Sequence, residues 1–154
     1  MNKSSSLIKS IVPIVVSTIA LIVSLTVVVY QQTQKTINLQ QKQLAVHSML
    51  IERNARILEL LLEYPDTRPY FYDNAELPQD KILLGKTMTL AEMWTDFFEQ
   101  VLIQEEHIPK SMAITWQQYA SDMHKSSTAI QKYFAESCGW YVPELRELWG
   151  GCTQ

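Results

Sequence analysis

Residues 11–30 read IVPIVVSTIALIVSLTVVVY and contain no charged side chain. A run of about 20 apolar residues has the length at which an α-helix crosses a hydrocarbon core of roughly 30 Å. Pro13 lies in the predicted first turn, where its missing N–H is harmless, and Tyr30 fits the aromatic interface position. The sequence therefore predicts a single transmembrane helix, with the lipid bilayer contacted through residues 11–30.

The same stretch has an alternative interpretation as a cleaved signal peptide, because Lys3 and Lys9 form a charged segment before it. The apolar run is longer than the usual 7 to 15 or so residues, and no A-x-A-like cleavage site follows it, so an uncleaved signal-anchor is favoured. Lys35 and Lys42 follow the span. The positive-inside rule favours, by a small margin, a cytoplasmic N-terminus and an extracytoplasmic globular part.

A long helical stalk is predicted after the anchor, because no glycine or proline occurs between Ile14 and Tyr64. We expect one continuous helix to about Glu63. Apolar residues recur every seven positions in it, at Ile37, Leu44, Ile51 and Leu58. The companion positions, mostly polar, are Gln40, His47, Asn54 and Leu61. Two interpretations remain: a single helix that packs on its own domain near residues 58–62, which the polar companions favour, and a weak parallel homo-oligomer.

The predicted organisation is an N-terminal tail and anchor (1–30), the stalk (31–63) and a small helical domain (64–154). After Tyr64 the chain has seven basic and thirteen acidic residues. Nucleic-acid binding needs clustered Lys and Arg, so this class of function is excluded. The acidity would also keep the domain away from an anionic bilayer.

Helix signals in this last region indicate an all-α fold. Residues 65–86 contain three prolines and no clean periodicity, which predicts an ordered loop. Thr89 and Glu92 have the spacing of a capping box, which predicts a helix from there to about His107. Further helices are predicted over residues 111–124, then after a cap at Ser126 or Ser127 until a left-handed stop at Gly139, and from Pro143 through Trp149. The long helix would thus be packed with a small bundle of about four others.

The most unusual segment is RPYFYD, residues 68–73, which we call the aromatic segment. Its candidate interaction residues are Arg68, Tyr70, Phe71, Tyr72 and Asp73. In one interpretation the rings fill the core, and Arg68 pairs with Asp73 or a helix carboxylate. In the other the rings anchor a partner protein. The structural interpretation is favoured, because a domain this small needs apolar area.

Other polar residues are weaker candidates for chemistry. Glu92, Asp96 and Glu99 share one predicted helix face, which is typical of a solvated face rather than of acid–base catalysis. No metal or cofactor is predicted, because His47, His107 and His124 lack the spacing of a ligand set.

Cys138 and Cys152 form a possible disulfide, worth roughly 3 kcal/mol if the domain lies outside the reducing cytosol. A catalytic cysteine is disfavoured, because no histidine is near in sequence.

The aromatic segment and a later stretch also carry a family resemblance. The later stretch consists of Trp140, Tyr141, Pro143, Glu144 and Leu145. Over about residues 35–150 the chain resembles an uncharacterised family of small bacterial membrane-anchored helical proteins with an RPYFYD-like segment. It departs from the family at Asn74, where glycine is common. The resemblance implies a bacterial source and this helical layout, and it transfers no catalytic role.

Two hypotheses of function follow. The favoured one is a non-catalytic protein-interaction or scaffold module in the bacterial cell membrane, which binds another membrane or envelope protein through the aromatic segment or the acidic helix. The alternative is a small-molecule sensor or an enzyme, with a pocket lined by Trp94, Trp116, Tyr70 and Tyr72.

Overall fold

The computed structural model describes the backbone of residues 3–152 and the side chains of residues 17, 18 and 20–152. The helices are α1 (Lys3–Glu63), α2 (Pro69–Tyr72), α3 (Lys81–Ile103), α4 (Lys110–Ser126), α5 (Thr128–Ser137) and α6 (Pro143–Leu148). Short 3₁₀ turns span Pro65–Thr67, Glu105–His107 and Cys138–Trp140. No strand occurs in the described residues, and the all-α prediction is confirmed.

Helix α1 confirms the predicted long helix, and its end has a simple steric cause. Tyr64 leaves the helical region, with φ −120° and ψ 68°. The ring of Pro65 disfavours a helical conformation in the residue before it. The helix therefore ends at Glu63, as its sequence indicates.

The chain divides into two compact units, residues 1–42 and 43–154. In the first unit, the large apolar side chains between Leu21 and Tyr30 are 47% to 65% exposed. Among the described residues, no helix offers a stretch of sufficient length and apolar character to traverse a membrane. Within the predicted span, the side chains of residues 11–16 and Ile19 lie outside the described part.

The second unit, which we call the helical domain, includes the end of α1 and so begins earlier than the predicted boundary at residue 64. Leu50, Ile57 and Leu61 of α1 are at most 3% exposed and belong to the core. This confirms that the long helix packs on its own domain. The core otherwise consists mainly of apolar side chains from α3, α4 and α5.

The start of α3 differs from the prediction. The carboxylate of Asp80 accepts hydrogen bonds from the backbone N–H groups of Ile82 and Leu83, at 3.1 and 2.8 Å. Asp80 is therefore the N-cap, and the predicted capping box at Thr89 is wrong. Thr89 lies inside the helix, and its hydroxyl donates to the carbonyl of Gly85. The predicted loop over residues 65–86 is correspondingly shorter: residues 73–80 form a loop, and the rest belongs to a 3₁₀ turn, α2 and the first turns of α3.

The later helices follow the prediction with one correction. Ser127 caps α5, and Pro143 is the first residue of α6. The predicted left-handed stop at Gly139 is wrong, because the chain continues from α5 into a 3₁₀ turn there. The left-handed glycines are Gly150 and Gly151, with φ of 87° and 85°. They end α6, where their N–H groups donate to the carbonyls of its last turn.

Candidate interaction surfaces

The aromatic segment lies against the core of the helical domain. Phe71 is fully buried, and Tyr70 and Tyr72 are half-buried against the core. The guanidinium of Arg68 lies 5.2 Å from the centre of the Tyr72 ring. In the described residues no ion pair joins Arg68 to Asp73 or to a helix carboxylate, so that predicted pairing is wrong. The ring of Tyr72 offers the guanidinium a cation–π contact instead.

The backbone of the aromatic segment is fixed by the start of α5. The hydroxyl of Ser127 donates to the carbonyl of Tyr70 at 3.0 Å and accepts from the N–H of Ile130 at 3.0 Å. Thr128 donates to the carbonyl of Ala75 at 2.6 Å. Asn74, between these anchors, has a φ of 50°, a conformation that glycine and asparagine tolerate best. The aromatic segment is thus fixed both by hydrogen bonds to its backbone and by the burial of the Phe71 ring.

The space predicted as an aromatic pocket is filled by side chains. Trp94 is fully buried and stacks on Phe98 with ring centres 5.3 Å apart. Trp116 meets Phe97 edge-on at 5.1 Å, and Tyr119 meets Trp94 edge-on at 5.7 Å. Burial raises the pKa of Tyr119, with a smaller contribution from Tyr72. These rings therefore serve as core packing rather than as the wall of a cavity.

The predicted acidic face of α3 has a structural role that its spacing did not indicate. Asp96 accepts a hydrogen bond from the hydroxyl of Tyr141 at 2.9 Å. Glu99 accepts from the N–H of Val142 at 2.9 Å. Burial is the main cause that raises the pKa of Tyr141, and its hydrogen bonds with Tyr133 and Asp96 add to it. Of the three carboxylates, Glu92 is the one exposed without such a partner.

A disulfide joins Cys138 and Cys152, whose Cα atoms are 5.7 Å apart. It spans 14 positions and encloses α6. Cys138 is buried, and Cys152 is exposed. The bond fixes the chain after α6 to the end of α5.

An open groove of about 780 Å³ lies where the end of α3, the Glu105–His107 turn, the start of α4 and the start of α6 meet. Its apolar lining comes from Leu102, Ile103, Ile108, Ala113 and Val142. Its charged lining comes from Glu105, Glu106, Glu144 and Lys110. We call this feature the acidic groove. It combines an apolar floor with a net negative rim.

The sequence prediction missed the acidic groove, because its members lie far apart in the chain. A usable signal was the Glu105–Glu106 pair between two apolar isoleucines, Ile103 and Ile108, before Pro109. The predicted helix continued through this stretch. In the structure the chain instead turns there, which brings the pair to the groove.

The histidines do not converge. His124 stacks on Trp149, with ring centres 4.6 Å apart and planes 11° apart, and burial lowers its pKa. His107 lies in the 3₁₀ turn after α3, and His47 lies on α1. Within the described part of the chain, no group of three or more His, Cys, Asp or Glu side chains is placed to hold a metal ion.

Comparison with protein-family models, with curated proteins and with solved structures found no match for this chain. The family resemblance of the aromatic segment stays a prediction.

Proposed function

We propose that this chain is a non-catalytic protein-interaction module, anchored in a bacterial membrane by residues 11–30, with its helical domain on the extracytoplasmic side. The observation that carries the interaction role is the acidic groove, an open apolar surface rimmed by three glutamates and one lysine. The anchor, the side of the membrane and the partner are each supported by a separate feature.

The anchor is supported by the uncharged sequence 11–30 and by the continuity of α1. The apolar side chains from Leu21 to Tyr30 have no protein neighbours that cover them, and a bilayer would remove them from water. Ser24 and Thr26 donate to backbone carbonyls of the same helix, at 2.9 and 2.8 Å. Such bonds lower the cost of hydroxyl groups in a hydrocarbon core.

The extracytoplasmic side is supported by the disulfide between Cys138 and Cys152. Disulfides persist in oxidising compartments and are rare in the reducing cytosol. Lys3 and Lys9 before the span agree with a cytoplasmic N-terminus.

The partner chemistry follows from the groove. An apolar floor fits the apolar face of a helix, and a negative rim fits basic side chains beside that face. We therefore propose a basic amphipathic segment of another membrane or envelope protein as the partner. The aromatic segment is a weaker candidate, since Phe71 is committed to the core.

Topology is tested first, on intact cells, with a membrane-impermeant maleimide before and after an impermeant reductant. We expect Cys138 and Cys152 to label only after reduction, because the disulfide protects them. A cytosolic protein with a free cysteine serves as the control for cell integrity. Labelling that requires permeabilisation would place the domain in the cytoplasm and refute the proposed side.

The interaction is tested by photo-crosslinking in cells, with a photoreactive amino acid at Ile103 in the groove. The matched control position is Ile82, which is exposed on the first turn of the same helix. We expect a discrete protein adduct from Ile103 alone, and its loss when Glu105 and Glu106 are replaced by lysine. Equal labelling at both positions, or an adduct indifferent to charge reversal, would count against the groove.

The groove volume of about 780 Å³ favours one alternative, a small-molecule sensor. Small-molecule sites span roughly 300 to 1,000 Å³, and the glutamates would select a cation. Spermidine is a suitable probe. A thermal stabilisation by spermidine that Glu106→Gln abolishes, without any adduct from Ile103, would support this alternative over the interaction module.

A further inference from the structure

The end of α1 has a second apolar face, separate from the one that packs on the helical domain. We call it the seam. It consists of Leu44, Ser48, Ile51, Ala55, Leu58 and Leu62, all of them exposed. Its large side chains are 40% to 74% exposed. Aliphatic side chains in a row along one helix remain in contact with water only at a cost.

The spacing of the seam is that of a coiled coil. Its members follow one another at alternating intervals of four and three residues, so that Leu44, Ile51 and Leu58, and likewise Ser48, Ala55 and Leu62, recur every seven positions, two per heptad. This is the period at which a and d positions of one helix meet a second helix. Ser48 and Ala55 take the a positions with Leu62, and their small side chains permit a close approach of two helices.

The seam is free to receive a partner because the domain occupies a different side of α1. The buried residues Leu50, Ile57 and Leu61 lie about 120° around the helix from the centre of the seam, at 3.6 residues per turn. The polar companion Asn54 of the predicted column belongs to the side near the domain and is half-buried. On the exposed side of α1, the residues that accompany Leu44, Ile51 and Leu58 are Ser48, Ala55 and Leu62. This set is less polar than the companion positions predicted from the sequence.

We propose that the seam binds a second copy of this chain in a parallel, in-register coiled coil. A second copy presents the same 3.5-residue period, so one surface satisfies both chains through an isologous interface. The inference does not depend on the membrane anchor or on the acidic groove.

The flanking charges favour the parallel orientation. Glu52 and Glu59 take e positions, and His47 and Asn54 take g positions. In a parallel pair, e positions face g positions of the partner, so Glu52 meets His47, which is half-buried. In an antiparallel pair the glutamates of the two copies would face each other, and like charges repel.

The test is cysteine crosslinking of the full-length protein, purified in a mild detergent, with a short bis-maleimide. Ser48→Cys and Ala55→Cys place a thiol on the seam, and Arg53→Cys places one on an exposed position off it. We expect covalent dimers from the first two and monomers from the third, since the a and d positions of parallel, in-register chains meet their own copies and Arg53 lies outside that seam. Adding Leu58→Glu to Ser48→Cys should abolish the dimer, whereas adding Arg53→Glu should not.

Circular dichroism of each variant controls for folding, and exposed positions should tolerate these changes. Monomers at Ser48 and Ala55 in folded protein would overturn the proposal. Equal crosslinking at Arg53 would indicate random collision and overturn it as well. Crosslinks from Leu58→Cys to Ser48→Cys in mixed samples, without Ser48 to Ser48, would indicate an antiparallel pair and reject the stated register.

Discussion

The hydroxyl of Tyr141 donates a hydrogen bond to the carboxylate of Asp96 over 2.9 Å, across 45 positions of the chain. Three residues further along α3, Glu99 accepts a hydrogen bond from the backbone N–H of Val142. Together these bonds fasten the segment before α6 to the middle of α3. The disulfide then fixes the other end of α6 to α5. Helix α6 is therefore fixed at both ends. Val142, just before this helix, and Glu144, in its first turn, line the acidic groove.

The first prediction concerns this attachment. Tyr141→Phe removes the hydrogen bond donated to Asp96 and the contact between the Tyr141 and Tyr133 hydroxyls, and it keeps the buried ring. We expect a loss of about 1 kcal/mol in the free energy of unfolding, measured by urea denaturation. Tyr70→Phe is the matched control, since its hydroxyl has no such partner in the described residues, and it should change stability little. An unchanged midpoint for Tyr141→Phe would mean that water replaces the Asp96 bond at no cost.

The helices that sequence predicts well are those whose limits come from covalent constraints. Helix α1 ends before Pro65, and α6 begins at Pro143, because a proline ring acts whatever the rest of the fold does. The start of α3 was mispredicted because Asp80 and Thr89 are both good capping residues. The local sequence does not show which of the two residues is followed by backbone N–H groups that lack an acceptor within the helix. That depends on where the helix begins in the folded chain.

The candidate site was predictable only in part. The favoured burial of the aromatic segment agrees with Phe71 at 0% exposure. The acidic groove was not foreseen, because its lining comes from residues 102 through 144 on four elements. The partners of Asp96 and Glu99 were not predicted for the same reason. They come from Tyr141 and Val142, more than 40 positions further along the chain, and a helix pattern alone predicts solvent beside both carboxylates.

The second prediction concerns the cap of α5. Ser127→Ala removes the acceptor for the Ile130 N–H and leaves the carbonyl of Tyr70 with only the longer contact, 3.5 Å, from the Thr128 hydroxyl. Loss of an N-cap costs about 1 to 2 kcal/mol, and we expect a loss of stability in that range by urea denaturation. Ser111→Ala, on the exposed start of α4, should be close to neutral. Equal effects of the two variants would contradict the structural role of Ser127.

The third prediction separates the two interpretations of the aromatic segment. Phe71→Ala should destabilise the domain by about 3 to 5 kcal/mol, because it removes a fully buried ring. Arg68→Ala removes an exposed cation–π contact and should cost less than about 1 kcal/mol. Both values follow from thermal or urea unfolding of the purified protein. A folded, fully stable Phe71→Ala variant would instead favour a recognition role for the ring.

The last prediction concerns pH and His124. Burial against Trp149 and Phe134 lowers the pKa of His124 in the folded state below the usual value of about 6.5. The unfolded chain then binds the proton first as the pH falls, so the stability that neutral His124 supports is present above about pH 6.5 and is lost below it. We expect unfolding midpoints to fall between pH 7.5 and pH 5.5, and His124→Phe, which keeps an aromatic ring at this position, to reduce that fall. An NMR titration of the His124 ring supplies the direct check, since a midpoint at or above that of a free histidine would contradict the burial argument.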